Sequence, residues 1–159
     1  MIKVTLITLG KLKEKYLRDA CDEYVKRLSR YCNLDIIELE PVKITEKPSQ
    51  AEVDTTLKKE AQMIIKKIPD NVQVISLCVE GKSFTSEKFA KSIEDFENSG
   101  KSLVFIIGSS YGLSQTVKDL SNIKLSLSDM TFPHQLFRVM LLEQIYRAFK
   151  INEGGSYHK

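Results

Sequence analysis

Tryptophan is absent from this sequence, histidine occurs twice and cysteine three times. Cys21, Cys32 and Cys78 contain no CxxC pair, and their odd number does not suit a disulfide framework. With only His134 and His158 as imidazole ligands, a zinc site is not expected. We therefore predict a protein without metal and with reduced thiols, in which Cys78 is a small buried hydrophobe of an apolar strand.

Long apolar runs are also missing. No stretch approaches the roughly 18 consecutive apolar residues of a membrane span, and the N-terminal apolar run precedes its lysines, the reverse of a signal peptide. The 159 residues, 42% of them hydrophobic and 28% charged, suffice for one well-packed core. We expect a cytosolic protein without a membrane anchor, consisting of a single domain over residues 1–159.

Two common phosphate-binding signatures are absent as well. The glycines of "GSSYG" at residues 108–112 fit neither GxGxxG nor GxxxxGK[ST], so neither a dinucleotide fold nor a P-loop is supported. The first strand ends in "TLGKLK" without an acidic cluster, which gives no support to a flavodoxin-like signalling receiver.

The charge is modest but unevenly distributed, with a formal net charge of +3. Residues 1–30 hold eight Lys and Arg against four Asp and Glu, residues 31–100 hold nine against thirteen, and residues 101–159 hold seven against four. A fold that joins the two ends would form a positive surface suited to a polyanion. The alternative, which charge alone favours, is a set of ordinary solvated helix faces.

Hydrophobic periodicity predicts ten alternating elements. Apolar and β-branched runs indicate strands at 2–10, 33–40, 71–80, 102–108 and 123–128, and helical spacing indicates helices at 12–31, 51–68, 85–100, 115–122 and 134–151. This order is typical of one doubly wound α/β domain with a parallel sheet, and the most apolar strand, 102–108, is expected at its centre. Ligands of such sheets bind beyond the carboxyl ends of the strands, here "SLCVEGKS", "IIGSSYGLS" and "LSLSDMTFPH".

The last predicted helix is apolar on several faces. We expect one side to pack on the sheet and another on a second copy of the protein, because monomers seldom expose so large an apolar patch. Glu143 and Arg147 are spaced to pair along the helix. Arg138 has no local partner, so it could reach a phosphate or pair across the interface.

The two histidines both stand near possible ligand sites. Thr131 is predicted to cap the last helix, with Pro133 in its first turn and His134 at its N-terminus, where a neutral imidazole is expected. His134 could act as an acceptor or base, or only hydrogen-bond the loop. The tail "GGSYHK" is either frayed or a flap that brings Tyr157 and His158 over a substrate.

Several of these segments together resemble a known family. "FIIGSSYGL", "LSLSDMTFPHQLFRVMLLEQIYRAF" and the terminal "YHK", with "KVTLITLGKLKEKY" and "LCVEGKSFTSE", are similar to the RlmH group of SPOUT methyltransferases over the full chain. The resemblance implies an α/β SPOUT fold with a C-terminal trefoil knot over roughly 103–150, a tail at 152–159, and a homodimer. It also implies S-adenosylmethionine as cofactor and methylation of N3 of a pseudouridine in 23S rRNA on the assembled ribosome.

The same resemblance implies a set of cofactor-binding residues. Gly108 follows the fourth strand, and Ser109 departs from the family, which has a second glycine there. If that position needs a positive φ, serine would strain it and weaken cofactor binding. The expected cofactor contacts are Leu77, Gly108, Leu127, Ser128, Asp129, Met130, Thr131 and Phe132.

Catalysis requires alignment of donor and acceptor and removal of the N3 proton. The candidates are His158, Tyr157, His134 and Arg138; His158 could accept the proton or position the base, and Arg138 could stabilise negative charge. Lys11, Lys15 and Arg18, expected on one face of the first helix, could hold rRNA phosphates. Two alternatives remain open: a methyltransferase for another RNA, and a non-catalytic ribosome-binding factor, to which only Ser109 points.

Overall fold

A computed structural model describes all 159 residues and contains five strands and five helices in strict alternation. The predicted order and the α/β class are confirmed, with boundaries that differ by a few residues. The elements are β1 (Ile2–Leu9), α1 (Lys15–Leu28), β2 (Cys32–Leu39), α2 (Gln50–Ile65), β3 (Val72–Ser83), α3 (Ser86–Asn98), β4 (Ser102–Ile107), α4 (Gln115–Leu120), β5 (Ile123–Ser126) and α5 (His134–Asn152).

The five strands form one sheet in the order β2-β1-β4-β3-β5, and every neighbouring pair is parallel. The central position predicted for β4 is confirmed. Its side chains from Leu103 to Ile107 are all buried, because both faces of a central parallel strand are covered.

Helices cover both faces of the sheet and divide the core into two clusters. Leu103 and Phe105 of β4 point into the larger cluster, which α1, α3 and α5 complete. Val104 and Ile106 point into the smaller cluster, shared with α2 and α4. The alternation of strand side chains between the two faces thus produces the doubly wound arrangement.

The last helix lies against α1, α3 and β4. Leu141, Leu142 and Ile145 are fully buried in the larger cluster. Val139 and Met140 are only half-buried, so part of the apolar surface of α5 remains uncovered in the single chain. None of the five helices combines the length and the apolar character that crossing a bilayer requires.

The start of the first helix differs from the prediction. Helix α1 begins at Lys15, and Lys11 lies in the preceding loop rather than on a helix face. Tyr16 is 69% exposed, and the buried positions of the helix are Leu17, Cys21 and Leu28. Leu12 is also buried, but it lies in the loop before the helix.

The third strand does not end where the sequence suggested. The sequence predicts an end at residue 80, but β3 continues to Ser83 through a bulge. Leu77 and Lys82 both pair with Leu125 of β5, so the four residues between them project from the ladder. A Cβ atom at Gly81 would lie 2.7 Å from the carbonyl oxygen of Lys124, and this close approach explains the glycine.

We expect Gly81→Ala to destabilise the protein by about 1–3 kcal/mol, since the added methyl group must displace the β5 backbone. Urea unfolding followed by circular dichroism measures the change. Lys82→Ala, at an exposed neighbouring position, is the matched control and should change stability by less than about 0.5 kcal/mol. Equal stability of Gly81→Ala and the parent would show that β5 can move away freely.

Candidate functional site

The carboxyl ends of β3, β4 and β5 surround a cavity of about 510 Å³. This is the edge at which ligands of parallel sheets bind, and the volume is in the range of small-molecule sites. All three strand ends selected from the sequence contribute to it. The walls consist of residues 77–80, 107–113, 125–128 and 131–134, together with Lys118 and Phe137.

The β3 wall is formed by the bulge. Leu77 ends the first paired part of the strand, and Cys78, Val79 and Glu80 follow it along the cavity. Glu80 forms an ion pair with Lys118 of α4, and this contact lowers the pKa of the Glu80 carboxyl group. These two side chains are the only charged Asp, Glu, Lys or Arg residues that line the cavity.

The β4 wall is a tight turn over residues 108–112. The Gly112 N–H donates a hydrogen bond of 2.9 Å to the Ser109 carbonyl oxygen, and Gly112 has a φ of +84°. A Cβ atom at Gly108 would lie only 2.3 Å from the Gly112 carbonyl oxygen. Both glycines are therefore required by the turn itself.

Ser109 is not strained in this turn. The only non-glycine residue with a positive φ is Asn71, so the concern that serine would be forced into that region is wrong. Its hydroxyl group instead donates a hydrogen bond of 3.1 Å to Glu60 of α2.

The loop after β5 provides the third wall. Leu127, Ser128, Thr131 and Phe132 line the cavity, whereas Asp129 and Met130 do not. The loop turns outward at Met130, which is 74% exposed. The Met130 N–H donates a hydrogen bond to the Ser128 hydroxyl group. Six of the eight expected cofactor contacts, including Leu77 and Gly108, are thus brought together.

His134 also lines the cavity, as the first residue of α5. The N-cap is Pro133 and no side chain caps the helix, so the predicted Thr131 cap is wrong. Burial lowers the pKa of His134, and the charges of Arg138 and Lys13 lower it further. The expected neutral imidazole is therefore supported, although burial contributes most.

Arg138 has its partners within the same chain. Its guanidinium donates to Glu38 Oε2 at 2.7 Å, Thr8 Oγ1 at 2.9 Å and the Gly10 carbonyl oxygen at 3.0 Å. The side chain is buried and does not line the cavity. Arg138 connects α5 to the ends of β1 and β2, and no sequence pattern indicates these contacts. The catalytic role of Arg138 stays a prediction.

The C-terminal tail is neither frayed nor closed over the cavity. The Tyr157 hydroxyl group donates to Glu143 Oε2 at 2.9 Å, and Arg147 pairs with Glu143 as predicted. The His158 Nδ1 atom lies 3.2 Å from Arg147, and its Nε2 atom lies 2.7 Å from Glu87. Because Arg147 only donates, Nδ1 accepts and Nε2 carries the proton toward Glu87.

The tail does approach a second cavity. This smaller space, of about 260 Å³, shares residues 125–127 with the larger one and has Glu143 on its wall. Tyr157 contacts Glu143 directly and His158 contacts its partner Arg147, but neither tail residue lines the cavity that contains His134. A shallow depression of about 560 Å³ beside residues 43–45 is open to solvent and lacks any strand end.

The three basic residues predicted to hold phosphates are all exposed. Lys15 pairs with Asp19 at 2.6 Å. Arg18 donates to the carbonyl oxygens of Leu12 and Lys13, which fixes the loop before α1. Lys11 is in that loop. Part of the hydrogen-bonding capacity of Arg18 is thus used within the chain.

Comparison with known proteins gives a full-length match. The family model described as "Predicted SPOUT methyltransferase" matches residues 2–158. The chain belongs to the SPOUT methyltransferase family. Its resemblance to that family, first seen in a few segments, is confirmed.

Curated relatives carry a more specific name. "Ribosomal RNA large subunit methyltransferase H" of Clostridium acetobutylicum is 54% identical over 159 residues, covering 99% of this chain and 100% of the relative. The protein of that name from Clostridium beijerinckii is 53% identical, and the "Putative ribosomal RNA large subunit methyltransferase H" of Methanococcus maripaludis 54%, with the same coverage.

A solved structure matches more distantly. The SpoU methyltransferase AviRb from Streptomyces viridochromogenes, in complex with the cofactor AdoMet, is 12% identical with a TM-score of 0.46. The match covers 97% of this chain and 59% of that chain. This similarity is too low to bear on the site.

Sequence reasoning missed several residues of the site. Glu80 and Lys118 were not selected, because their pairing depends on the bulge in β3. Glu60 was missed because it looks like one more charged residue of a lysine-rich helix. The only usable signal was its helical spacing to Ile64, which places it on the face that includes the buried Ala61 and Ile64.

We expect Arg138→Ala to lower stability by about 3 kcal/mol, because it leaves Glu38, Thr8 and Gly10 without their shared donor. Urea unfolding gives the value. Lys91→Ala removes an exposed pair with Glu94 and Asp95 and should cost less than about 1 kcal/mol. A similar loss in both variants would contradict a structural role for Arg138.

Proposed function

We propose that this chain is an S-adenosylmethionine-dependent methyltransferase that methylates N3 of a pseudouridine in 23S rRNA on the assembled ribosome, in the cytoplasm. The observation that carries the proposal is the convergence of the expected cofactor residues on one cavity of a SPOUT-family chain. Relatives that are 53–54% identical and named as rRNA large subunit methyltransferases support the RNA substrate.

The residues of the cavity fit this cofactor. Leu77, Leu127 and Phe132 provide apolar surface for an adenine ring, and the turn at 108–112 presents backbone N–H and C=O groups. The methionine end of the cofactor carries an ammonium and a carboxylate group. Glu80 and Lys118 place one charge of each sign at the wall, which is complementary to such a zwitterion.

The protein must align the acceptor and take up its proton. S-adenosylmethionine, when bound, supplies a methyl group already activated by the sulfonium, so positioning dominates. His134 lines the cavity with an imidazole that burial keeps neutral, which makes its free nitrogen a proton acceptor. Burial and the hydrogen bond to Glu143 raise the pKa of Tyr157, which favours a donor role for this hydroxyl group.

A homodimer would explain the surface of α5. Leu136, Val139, Met140 and Tyr146 are half-buried apolar side chains of a helix whose other face is in the core. Pairing of two such faces would remove them from water. In that arrangement the tail with Tyr157 and His158 would complete the site of the partner subunit.

The trefoil knot over residues 103–150 is also part of the proposal. Strand β3 lies between β4 and β5 in the sheet. The turn after β4 and the loop after β5 line the same cavity, and the resemblance to the family is what suggests a knot in this segment.

The function is tested with methyl-labelled S-adenosylmethionine and ribosomes from cells that lack this enzyme, beside protein-free 23S rRNA. We expect label in one pseudouridine of the ribosome and none in naked rRNA. Label in naked RNA would favour a methyltransferase for another RNA. The absence of both labelling and cofactor binding would favour a non-catalytic ribosome-binding factor and overturn the proposal.

The charged pair at the cavity wall yields a second test. We expect Lys118→Ala to weaken the binding of S-adenosylhomocysteine about tenfold, the equivalent of 1.4 kcal/mol, because a carboxylate loses its cation. Binding of 5′-methylthioadenosine, which lacks the amino-acid end, should stay unchanged. Isothermal titration calorimetry measures both ligands.

Lys124→Ala is the matched control, since Lys124 is an exposed lysine of β5 that does not line the cavity. Equal weakening of both ligands in Lys118→Ala would mean that Lys118 maintains the shape of the cavity and does not recognise charge.

A further inference from the structure

Glu60 of α2 is a buried carboxylate without a cationic partner. Its residue is 2% exposed, and no lysine or arginine forms an ion pair with it. The Oε1 atom accepts the Ser109 hydroxyl group at 3.1 Å, and the Oε2 atom accepts the Val42 N–H at 3.1 Å. Burial raises the pKa of this carboxyl group, and the two hydrogen bonds oppose the increase.

Such a group is costly to the fold. Removing a carboxylate from water without a counter-charge is unfavourable, and two hydrogen bonds offset this only in part. An apolar residue would suit this face of α2, where Ala61 and Ile64 are buried in the core. Stability alone therefore does not account for Glu60.

The position of its partners indicates what the carboxylate does. Ser109 belongs to the turn at 108–112 and lines the cavity, whereas Glu60 lies outside the cavity, behind that turn. Val42 belongs to the loop that follows β2. One carboxylate thus ties the turn to a helix and to a second loop.

We propose that Glu60 is a positioning residue that acts through Ser109 to hold the turn at 108–112 in the conformation that receives the cofactor. The pair determines cofactor affinity and leaves recognition of RNA unaffected. This inference rests on the proposed function, because it assigns the cavity to S-adenosylmethionine. On this proposal, serine in place of the family's glycine does not weaken cofactor binding. It provides the contact through which α2 supports the turn.

The test compares Ser109→Ala, Glu60→Gln and the double variant in the full-length protein. Binding of S-adenosylhomocysteine is measured by isothermal titration calorimetry, and methyl transfer is measured on ribosomes. We expect Ser109→Ala to raise Kd about tenfold, as loss of a hydrogen bond to a charged group does. Glu60→Gln should raise Kd by a similar factor, because an amide has one acceptor oxygen for the two donors, the Ser109 hydroxyl group and the Val42 N–H. The double variant should be no weaker than the singles, because both remove one interaction.

Two further readouts separate positioning from mere stability. At saturating cofactor, kcat and the KM for ribosomes should stay within twofold of the parent. Ser109→Thr keeps the hydroxyl group, so its Kd for S-adenosylhomocysteine should stay within about threefold of the parent value. Ser92 on α3 is half-buried, and Glu46 in the loop after β2 is exposed. Ser92→Ala and Glu46→Gln are the matched controls and should leave the Kd unchanged.

An unchanged Kd in Ser109→Ala would overturn the inference, whatever its melting temperature. A double variant whose Kd rises by the product of the two single effects, about a hundredfold, would also overturn it, because the two side chains would then act independently. If Glu60→Gln does not fold, Ser109→Ala and Ser109→Thr still decide the question. Failure of the parent itself to bind the ligand would instead contradict the proposed function.

Discussion

The close approach of the β5 backbone to Gly81 is the constraint on which the site depends. A side chain at position 81 would meet the Lys124 carbonyl oxygen, so only glycine lets β3 pair with β5 on both sides of the bulge. The bulge then directs Cys78, Val79 and Glu80 along the cavity. The same strand, β5, starts the loop that carries Leu127 and Phe132, so one backbone contact aligns two walls.

Burial of α5 fixes the third side. Leu141, Leu142 and Ile145 anchor the helix in the core, and Arg138 connects its first turns to Thr8, Gly10 and Glu38 at the ends of β1 and β2. A second connection comes from Gln135, which accepts the Lys13 N–H at 3.0 Å. His134 is consequently held at the cavity by two connections made within the first turns of α5, and burial lowers the pKa of its imidazole.

Two buried charged groups, Arg138 and Glu60, lie near the carboxyl edge of the sheet. Each forms hydrogen bonds with groups from distant segments. Such networks are costly when incomplete and rigid when complete. The arrangement gives the loops of the edge fixed positions although they contain little regular structure.

Local patterns determined much of the fold. The strand and helix order and the central position of β4 follow from periodicity and apolar content, which involve residues within a few positions of each other. The strand ends that line the cavity could be selected for the same reason, since a parallel sheet puts all its carboxyl ends at one edge. The resemblance of short segments was sufficient to indicate the family.

Tertiary structure alone decided which polar side chains meet. Arg138 and Glu38 are 100 residues apart and Ser109 and Glu60 are 49 apart, so no spacing rule relates them. The outward turn of Asp129 and Met130, the missing Thr131 cap and the docking of the tail likewise depend on packing between segments. Sequence periodicity reports which face of an element is buried, whereas register and contact between elements are set by the whole core.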